Sequence, residues 1–346
     1  MASPKTIKCL VWDLDNTLWD GTLLEDGEVS LREGVLDVIR ELDRRGILMS
    51  IASKNEPGDA LNMLSRLGVG EYFLVPQIGW GSKAESIAEI ARLLNIGLDT
   101  FAFIDDQPVE REEVLFHHPE VRVYDASVYR DLPGLPEFTP RFVTEDSTRR
   151  RLMYQEDQKR KEEEERFGGA SEEFLKTLDM KLTISPVKEG DLERVEELTL
   201  RTNQLNSTGL TYDYEELRRL IASPRHLFLI AGLTDKFGSY GKIGLMLAEK
   251  SDSKDPPTLT VKLLLMSCRV MTRGVGSALL VHLTKLARAE GRELLADFKS
   301  TGRNRIMYIT YKLMGFEEIS QDGDRYLLKY KGGEREYPEY LEVDCT

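Results

Sequence analysis

The feature that most constrains this chain is an apolar run near its start that ends in two carboxylates. Residues 7–12 are nearly all apolar, which is typical of a central parallel strand buried on both faces. Asp13 and Asp15 follow at the predicted strand end, two residues apart. Because residues i and i+2 of a strand share a side, both carboxylates can face one ligand. Two anions this close need a cation or a proton between them, and Mg²⁺ suits oxygen ligands.

Further polar residues recur at the ends of predicted elements downstream. One apolar strand ends at Ser53, and another ends at Asp105 and Asp106. Between them, Lys83 opens an apolar helix. Taken one at a time, these residues are better explained as a helix cap (Ser53), a solvated cation (Lys83) and a polar turn (Asp105 and Asp106) than as site residues. Their order and spacing together favour one site at the carboxyl edge of a sheet.

The first 140 residues alternate between strand and helix patterns, which predicts an α/β fold with a doubly wound parallel sheet. The expected strands are 7–12, 47–52, 72–75 and 101–104, and the expected helices are 34–45, 58–67 and 83–94. The segment 18–31 contains two Asp-Gly pairs and is predicted to form a hairpin flap. A flap this short cannot form a large cap domain, so we expect an open site that could admit a substrate attached to a protein.

Length and composition set the outer limits on function. A chain of 346 residues is expected to form two domains, and a net charge of −13 argues against general nucleic-acid binding. The N-terminus lacks the apolar core of a signal peptide, and no apolar run is long enough to cross a membrane. The three cysteines are too scattered for a disulfide framework or a zinc cluster. A reducing, cytoplasmic setting is the resulting expectation.

Charge patterning predicts a connector between the two domains. Residues 141–178 interleave basic and acidic side chains at helical distances, which indicates a solvated helical linker or, alternatively, a docking surface. The expected domains are therefore 1–140 and 179–346. In the second, the pattern predicts a helix over 186–200, strands over 227–231, 243–248 and 258–268, and a helix over 279–289.

Two stretches of the second domain carry polar groups suited to binding. Arg201, Asn203 and Gln204 lie in a run without apolar period, which fits either a polar loop or the orientation of a polyol or phosphate substrate. Further on, Arg273, Gly274 and Gly276 lie between a predicted strand and a helix. Backbone N–H groups at such a helix start form an anion site.

The spacing Arg273-x-x-Gly276-x-Ala278 resembles the pyrophosphate loop of the GNAT acyltransferase superfamily, which holds coenzyme A there. Asn304 and Tyr311 match that superfamily's closing helix, where Tyr311 would protonate a leaving thiolate. The resemblance implies a GNAT-like domain with a mixed sheet.

Cys268 is the candidate nucleophile of the second domain. It closes the predicted strand just before the anion-binding turn, and nearby arginines and a helix N-terminus favour a thiolate. The alternative is a small buried hydrophobe. Cys9 lies within the first strand and is expected to be a core residue, and Cys345 is expected to be incidental. His226 or His282 could serve as a base only if the fold brings it near Cys268.

The motifs of the first domain resemble the haloacid dehalogenase-like phosphatase superfamily. That resemblance implies that Asp13 is the nucleophile and that Asp15 is the general acid and base. Ser53 would bind the phosphoryl oxygens, and Lys83 would neutralise their charge. The implied Mg²⁺ ligands are Asp13, Asp15, Asp105 and Asp106.

Taken as a whole, the chain resembles the FkbH-like proteins of polyketide biosynthesis. The resemblance rests on residues 11–21, Ser53-Lys54-Asn55, residues 103–106, residues 201–204 and residues 267–270. It implies an enzyme that takes 1,3-bisphosphoglycerate, removes both phosphates and loads a glyceryl or related three-carbon group as a thioester on an acyl carrier protein. Cys268 or Cys9 would carry the acyl group.

Two alternatives stay open at this stage. One is an Mg²⁺ phosphatase fused to a coenzyme A-dependent N-acyltransferase, and the other is a non-catalytic module that binds a carrier protein. Residues 269–305 contain eight Lys or Arg and three acids, which indicates either a docking face for an acidic carrier or a solvated helix face.

Overall fold

The computed structural model describes residues 6–169, 171–253 and 255–346. The chain divides into two compact units, Met1–Gln155 and Glu156–Thr346. This division falls inside the segment 141–178 that the sequence assigns to a linker, and the expected domain limits stay predictions. Within the described residues, no helix combines the length and apolar character needed to cross a membrane.

The first unit is built on a parallel sheet with helices along the chain between its strands. Its elements are β1 (Cys9–Trp12), β2 (Trp19–Asp20), α1 (Leu23–Asp26), β3 (Ser30–Leu31), α2 (Val35–Arg44), β4 (Leu48–Ser53), α3 (Pro57–Arg66), β5 (Gln77–Ile78), α4 (Lys83–Leu94), β6 (Phe101–Asp105), α5 (Pro108–His117), β7 (Arg122–Asp125) and α6 (Glu145–Thr148), followed by α7 (Arg150–Phe167) at the division between the units.

Strand β1 is the centre of this sheet. The order is β5-β4-β1-β6-β7, and every neighbouring pair is parallel. Alternate side chains of β1 enter two different cores, with Leu10 and Trp12 in one and Cys9 and Val11 in the other. This explains the unbroken apolar run, because a strand covered on both faces needs apolar residues at every position.

Two local features of the first unit bear on the sequence predictions. Strands β2 and β3 form an antiparallel pair around the single turn of α1, which is the short flap. The strand expected over 72–75 is wrong, because Phe73 makes only an isolated bridge to Met49 and the strand at this edge is β5. Val75 has a φ of 45°, and the following Pro76 has no N–H to offer a ladder.

The second unit is built on an eight-stranded mixed sheet with the order β13-β14-β12-β11-β10-β9-β8-β15. Its elements after α7 are α8 (Ser171–Lys176), β8 (Met180–Pro186), α9 (Leu192–Arg201), α10 (Tyr214–Ala222), β9 (His226–Asp235), β10 (Gly238–Ser251), β11 (Thr258–Met266), α11 (Val275–Ala289), β12 (Glu293–Lys299), α12 (Arg305–Leu313), β13 (Phe316–Asp322), β14 (Arg325–Tyr330) and β15 (Leu341–Cys345).

These two sheets confirm the predicted fold class, an α/β chain with one parallel and one mixed sheet. Several predicted bounds in the second unit are wrong. The helix predicted over 186–200 begins at Leu192, because Pro186 still belongs to β8. Strand β11 ends at Met266, so Cys268 does not close it but begins a 3-10 turn. Helix α11 begins at Val275 rather than at residue 279, because Gly274 in the left-handed conformation starts it.

Strands β11 and β12 separate along their length. They pair in parallel only from Thr258–Val261 with Glu293–Ala296, although both strands continue further. A loop bridges the separated ends, because Ser207 N–H donates to Leu264 O at 2.9 Å and Ser207 O accepts from Lys299 N–H at 3.0 Å. The loop thus satisfies backbone groups that two diverging strands would leave without partners.

Helix α7 is more than a solvated connector. Arg160 is fully buried, and its guanidinium donates to both carboxylate oxygens of Asp235 at 2.6 and 2.8 Å. The same group lies 3.9 Å from the centre of the Tyr240 ring. Interleaved charges predicted a solvated helix, but one of those charges is a buried anchor of the second unit.

We expect Arg160→Met to lower the free energy of unfolding of the second unit by about 3–5 kcal/mol, because it leaves the Asp235 carboxylate buried without its cation. Urea unfolding of the full chain measures the loss. The matched control is Arg166→Met on the same helix, whose exposed pair with Glu162 at 3.4 Å contributes at most about 0.5 kcal/mol. Equal effects of the two substitutions would contradict the anchoring role of Arg160.

Candidate functional site

A cluster of three carboxylates lies at the carboxyl edge of the parallel sheet. Asp13 follows β1, and Asp105 and Asp106 stand at the end of β6. Because Trp12 and Ile104 are register partners on adjacent parallel strands, the residues after them are brought side by side. Carboxylate oxygens of the three acids lie within 4.8 Å of one another.

Lys83 provides the positive charge of this cluster. It is the first residue of α4, and its Nζ lies 2.9 Å from Asp13 Oδ1 and 2.5 Å from Asp105 Oδ2. Burial raises the pKa of Asp13, the nearby Lys83 opposes this shift, and the charge of Asp105 adds to it. Burial alone would lower the pKa of Lys83, but the two carboxylates outweigh it and raise that pKa. The group is therefore a coupled charge network held out of water.

The charge balance of the cluster suits a divalent cation. Three carboxylates against one lysine leave two negative charges in excess when all are ionised. Asp106 is held by its backbone N–H, which donates to Thr17 Oγ1 at 3.1 Å, while its buried Oδ1 has no hydrogen-bond partner among the described residues. Carboxylate oxygens are the ligands that Mg²⁺ takes in proteins. Asp13, Asp105 and Asp106 could hold such an ion.

Asp15 stands apart from the three grouped acids. Its Oδ1 accepts hydrogen bonds from Trp19 Nε1 at 2.8 Å and Leu23 N at 3.0 Å, and its Oδ2 accepts from Asn55 Nδ2 at 2.9 Å. The sequence named Asp15 as a fourth metal ligand, whereas the structure gives its carboxylate to these three donors. The flap is thereby tied to the site, since Trp19 belongs to β2 and Leu23 begins α1.

Asn55 is a site residue that the sequence reasoning did not single out. Its amide also reaches the hydroxyl of Ser53 at 3.4 Å, so one side chain orients both Asp15 and Ser53. Both Ser53 and Asn55 are buried just after or at the end of β4. The tripeptide Ser53-Lys54-Asn55 was the available signal, but only the adjacency of β4 and β1 shows which group the amide contacts.

In the second unit, Arg273 and Gly274 form the start of α11. Arg273 is buried, its Nη2 donates to Glu164 Oε2 at 3.2 Å, and its Nε and Nη1 have no hydrogen-bond partner among the described residues. Gly274 has a φ of 73° and lies under the hydroxyl of Tyr340. A Cβ at Gly276 would approach Met266 Sδ to 2.9 Å. The two glycines and the arginine thus form a close-packed helix start with unused donors, which suits an anion.

The two cysteines that the sequence offers as acyl carriers lie in different environments. Cys268 is half-buried at the start of the 3-10 turn, and the neighbouring Arg269 donates to Tyr240 O at 2.9 Å. Cys9 is wholly buried in β1, and burial raises its pKa well above the ordinary value. The thiol of Cys9 therefore resists ionisation, and of the two candidate acyl carriers Cys268 is the accessible one.

Other candidate residues of the second unit are dispersed. Asn203 and Gln204 are exposed, and Arg201 is half-buried with its Nη1 3.7 Å from Glu197 Oε1. Asn304 is fully buried, and its amide donates to the carbonyls of Asn206 and Lys299, both at 2.9 Å. Asn304 thus fixes the loop around Asn206 and Ser207 that bridges the separated ends of β11 and β12.

Tyr311 is also fully buried, with its ring edge against Phe316 at a centroid distance of 5.1 Å. Burial raises its pKa, so its hydroxyl keeps its proton. The expectation that Tyr311 protonates a leaving thiolate requires access that this packing does not give.

A cavity of about 420 Å³ lies elsewhere in the second unit. Its lining includes Tyr212, His226 and Tyr326, together with Lys262 and Asp297, whose Nζ and Oδ2 lie 3.0 Å apart. Of the candidate residues weighed from the sequence, His226 lines it, whereas Cys268, Arg273 and Tyr311 do not. Its walls come from several strands and loops, so no single stretch of sequence indicates it.

No protein-family model and no curated protein matches this chain, whereas solved structures do. The N-terminal part of BF1531 from Bacteroides fragilis, which contains a phosphatase domain and was complexed with Mg, is 34% identical over 36% of this chain and 38% of its own, with a TM-score of 0.34. NAA60 from Arabidopsis thaliana with a bisubstrate analogue is 19% identical over 43% of this chain and 97% of its own, with a TM-score of 0.36.

The PaiA N-acetyltransferase from Thermoplasma acidophilum with coenzyme A is 17% identical over 44% of this chain and 99% of its own, with a TM-score of 0.34. The neighbours thus include a phosphatase domain and acetyltransferases. Because these TM-scores lie below 0.5, we base the functional proposal on the geometry of the sites.

We expect Asp106→Asn to weaken Mg²⁺ binding at least about tenfold, or 1.4 kcal/mol, because it removes one negative charge from the three-acid cluster. Calorimetric titration of the full chain with Mg²⁺ measures the affinity. Asp20→Asn is the control, since this exposed flap acid lies 3.8 Å from Arg32 and outside the cluster. An unchanged affinity in Asp106→Asn would remove this residue from the metal site.

Proposed function

We propose that this protein is a bifunctional enzyme, a Mg²⁺-dependent phosphatase in its first unit and an acyltransferase in its second. The observation that carries the proposal is the cluster of the buried Asp13 and Asp105 with the half-buried Asp106, beside the buried Lys83. A bound cation would hold the phosphoryl group and offset its charge. The finer proposal is that the enzyme takes 1,3-bisphosphoglycerate and loads a glyceryl group on an acyl carrier protein.

In the phosphatase step, an Asp13 oxygen attacks the phosphorus and the bond to the leaving oxygen breaks. Asp15 gives the leaving oxygen a proton, and then takes one from the water that hydrolyses the aspartyl-phosphate. The three donors to Asp15 support this role because they fix the orientation of its carboxylate. Lys83 stabilises charge on Asp13 and the phosphoryl oxygens, and Ser53 donates a hydrogen bond to those oxygens.

In the acyl step, the Cys268 thiolate attacks the carbonyl of the acyl phosphate, and phosphate leaves with the electron pair of the broken bond. The pantetheine thiol of the carrier then takes the acyl group from Cys268. Arg273 supports this proposal, because its buried nitrogens at the start of α11 offer donors to a phosphate. The same group favours the second candidate, a coenzyme A-dependent N-acyltransferase, because a coenzyme diphosphate would fit those donors equally well.

Most basic side chains of residues 269–305 are paired with acids, so this stretch presents less free positive charge than its sequence indicates. Five of the eight basic side chains in this stretch pair with acids, namely Arg273, Lys285, Arg288, Arg292 and Lys299. Pairing cancels most of the local positive excess that would attract an acidic partner. The carrier protein remains part of the proposal, and its docking face is open.

We expect Asp13→Asn to abolish release of the 3-phosphate while the fold is retained, because the amide cannot attack phosphorus. The measurement is phosphate release from 3-phosphoglyceryl substrates with Mg²⁺, compared with an EDTA-treated sample and with the unfolding curve of the variant. If Asp13→Asn still releases this phosphate, the first unit is not a phosphatase of the proposed kind.

We expect Cys268→Ala to abolish the glyceryl mass increase that the native protein acquires from 1,3-bisphosphoglycerate, because the thioester then has no sulfur. Intact-mass spectrometry detects the adduct, and a carrier protein added afterwards should take it up. Cys9→Ala is the control and should keep the adduct. Acetyl-coenzyme A turnover on an amine without any carrier would instead favour the second candidate.

A further inference from the structure

Three reactive side chains that belong to neither candidate site described above converge on the surface of the second unit. Cys345 Sγ lies 3.4 Å from His282 Nδ1, and the hydroxyl of Tyr337 lies 3.1 Å from the same nitrogen. Tyr337 OH and Cys345 Sγ are 3.8 Å apart. Cys345 is exposed at the end of β15, and His282 lies in the middle of α11. We call this group the Cys345 site.

The imidazole of the Cys345 site is a neutral proton acceptor. Burial lowers the pKa of His282, and the charge of Lys285 acts in the same direction. Lys285 also lies 4.6 Å from the centre of the Tyr337 ring and 2.6 Å from Glu336 Oε2. A neutral imidazole whose nitrogen faces a thiol can take its proton as the sulfur reacts.

The phenol of the site stays protonated. Burial raises the pKa of Tyr337, and Cys345 and Glu336 add to that shift. Its hydroxyl can therefore donate a hydrogen bond, either to His282 or to the sulfur. A donor beside the sulfur stabilises the negative charge that develops when the thiol loses its proton.

The three cysteines differ in what a reagent can reach. Cys9 is wholly buried and Cys268 is half-buried, whereas Cys345 is an exposed residue whose sulfur lies beside His282. Reactive cysteines are those that combine exposure with a neighbouring group that promotes ionisation. Cys345 is exposed and lies beside an imidazole nitrogen, although it closes an edge strand and does not line the described cavity.

We propose that Cys345 is a modification site at which the protein forms a mixed disulfide with low-molecular-weight disulfides of the glutathione class, with His282 as the base. The Cys345 sulfur attacks one sulfur of the disulfide as its proton moves to His282. A new S–S bond forms, the old one breaks, and the released thiolate is protonated from His282. The cysteine is oxidised and half of the reagent disulfide is reduced, so the exchange balances without a further oxidant.

The test uses the full chain with oxidised glutathione and with a chromogenic aromatic disulfide, in a buffer containing a chelator. We expect one thiol to react in a fast phase, and peptide mapping to place the added glutathione mass on Cys345. Cys345→Ser removes the fast phase without affecting the fold, because the side chain is exposed. Mapping of the fast thiol to Cys268 would overturn the proposal.

The role of His282 has its own readout. We expect His282→Gln to slow the fast phase at pH 7 by at least roughly tenfold, because the thiol loses its general base. His226→Gln is the matched control, since His226 Nδ1 lies 2.9 Å from Ser223 Oγ in the same unit and away from any cysteine. Its rate should equal that of the native protein.

The pH profile of the native protein gives a measurement that needs no variant. With a base of lowered pKa, the fast phase should persist well below the ordinary thiol pKa of about 8.5. A rate that simply follows ionisation of an unperturbed thiol, or a His282→Gln protein that keeps the native rate, would refute the assisted exchange.

Discussion

The first unit depends on one electrostatic constraint, the balance of charge around Lys83. Removing three carboxylates from water is costly, and a single buried lysine offsets only part of that cost. The same excess of negative charge that destabilises the site would attract a divalent cation. Parallel pairing of β1 with β6 creates the cluster, because it puts Asp13 beside Asp105 and Asp106. The parallel sheet therefore holds these like-charged carboxylates close to one another.

The second unit solves a different problem, the separation of two neighbouring strands. Where β11 and β12 diverge, Ser207 supplies the backbone partners that each strand lacks, and Asn304 fixes the same loop through the carbonyls of Asn206 and Lys299. Asn304 thus stabilises the shape of this region through its two hydrogen bonds.

The sequence predicted the start of helix α4 and the acids that gather at the carboxyl edge of the parallel sheet, but not which distant side chains contact one another. Helix α4 begins at Lys83 as expected, because its apolar residues recur at helical spacing and Ser82 accepts from Glu85 N–H. The sequence could not distinguish the buried Arg160 of α7 from the solvated Arg166, because both lie in similar stretches of charged residues. Asn55 was overlooked because its hydrogen-bond partner Asp15 is 40 residues away in the chain.

The three cysteines show that the surroundings of a thiol depend on how it is packed. Cys268 was favoured because basic residues surround it in the sequence, yet Arg269 bonds to the carbonyl of Tyr240. Cys345 looked incidental, but parallel pairing of β15 with β8 brings it to a histidine 63 residues earlier in the chain. The residues next to a cysteine in the sequence do not determine the electrostatic environment of its thiol, because that environment is set by the atoms within a few ångströms of the sulfur. In a chain with three thiols, the burial of each thiol and the presence of a neighbouring base determine which thiol a given reagent can modify.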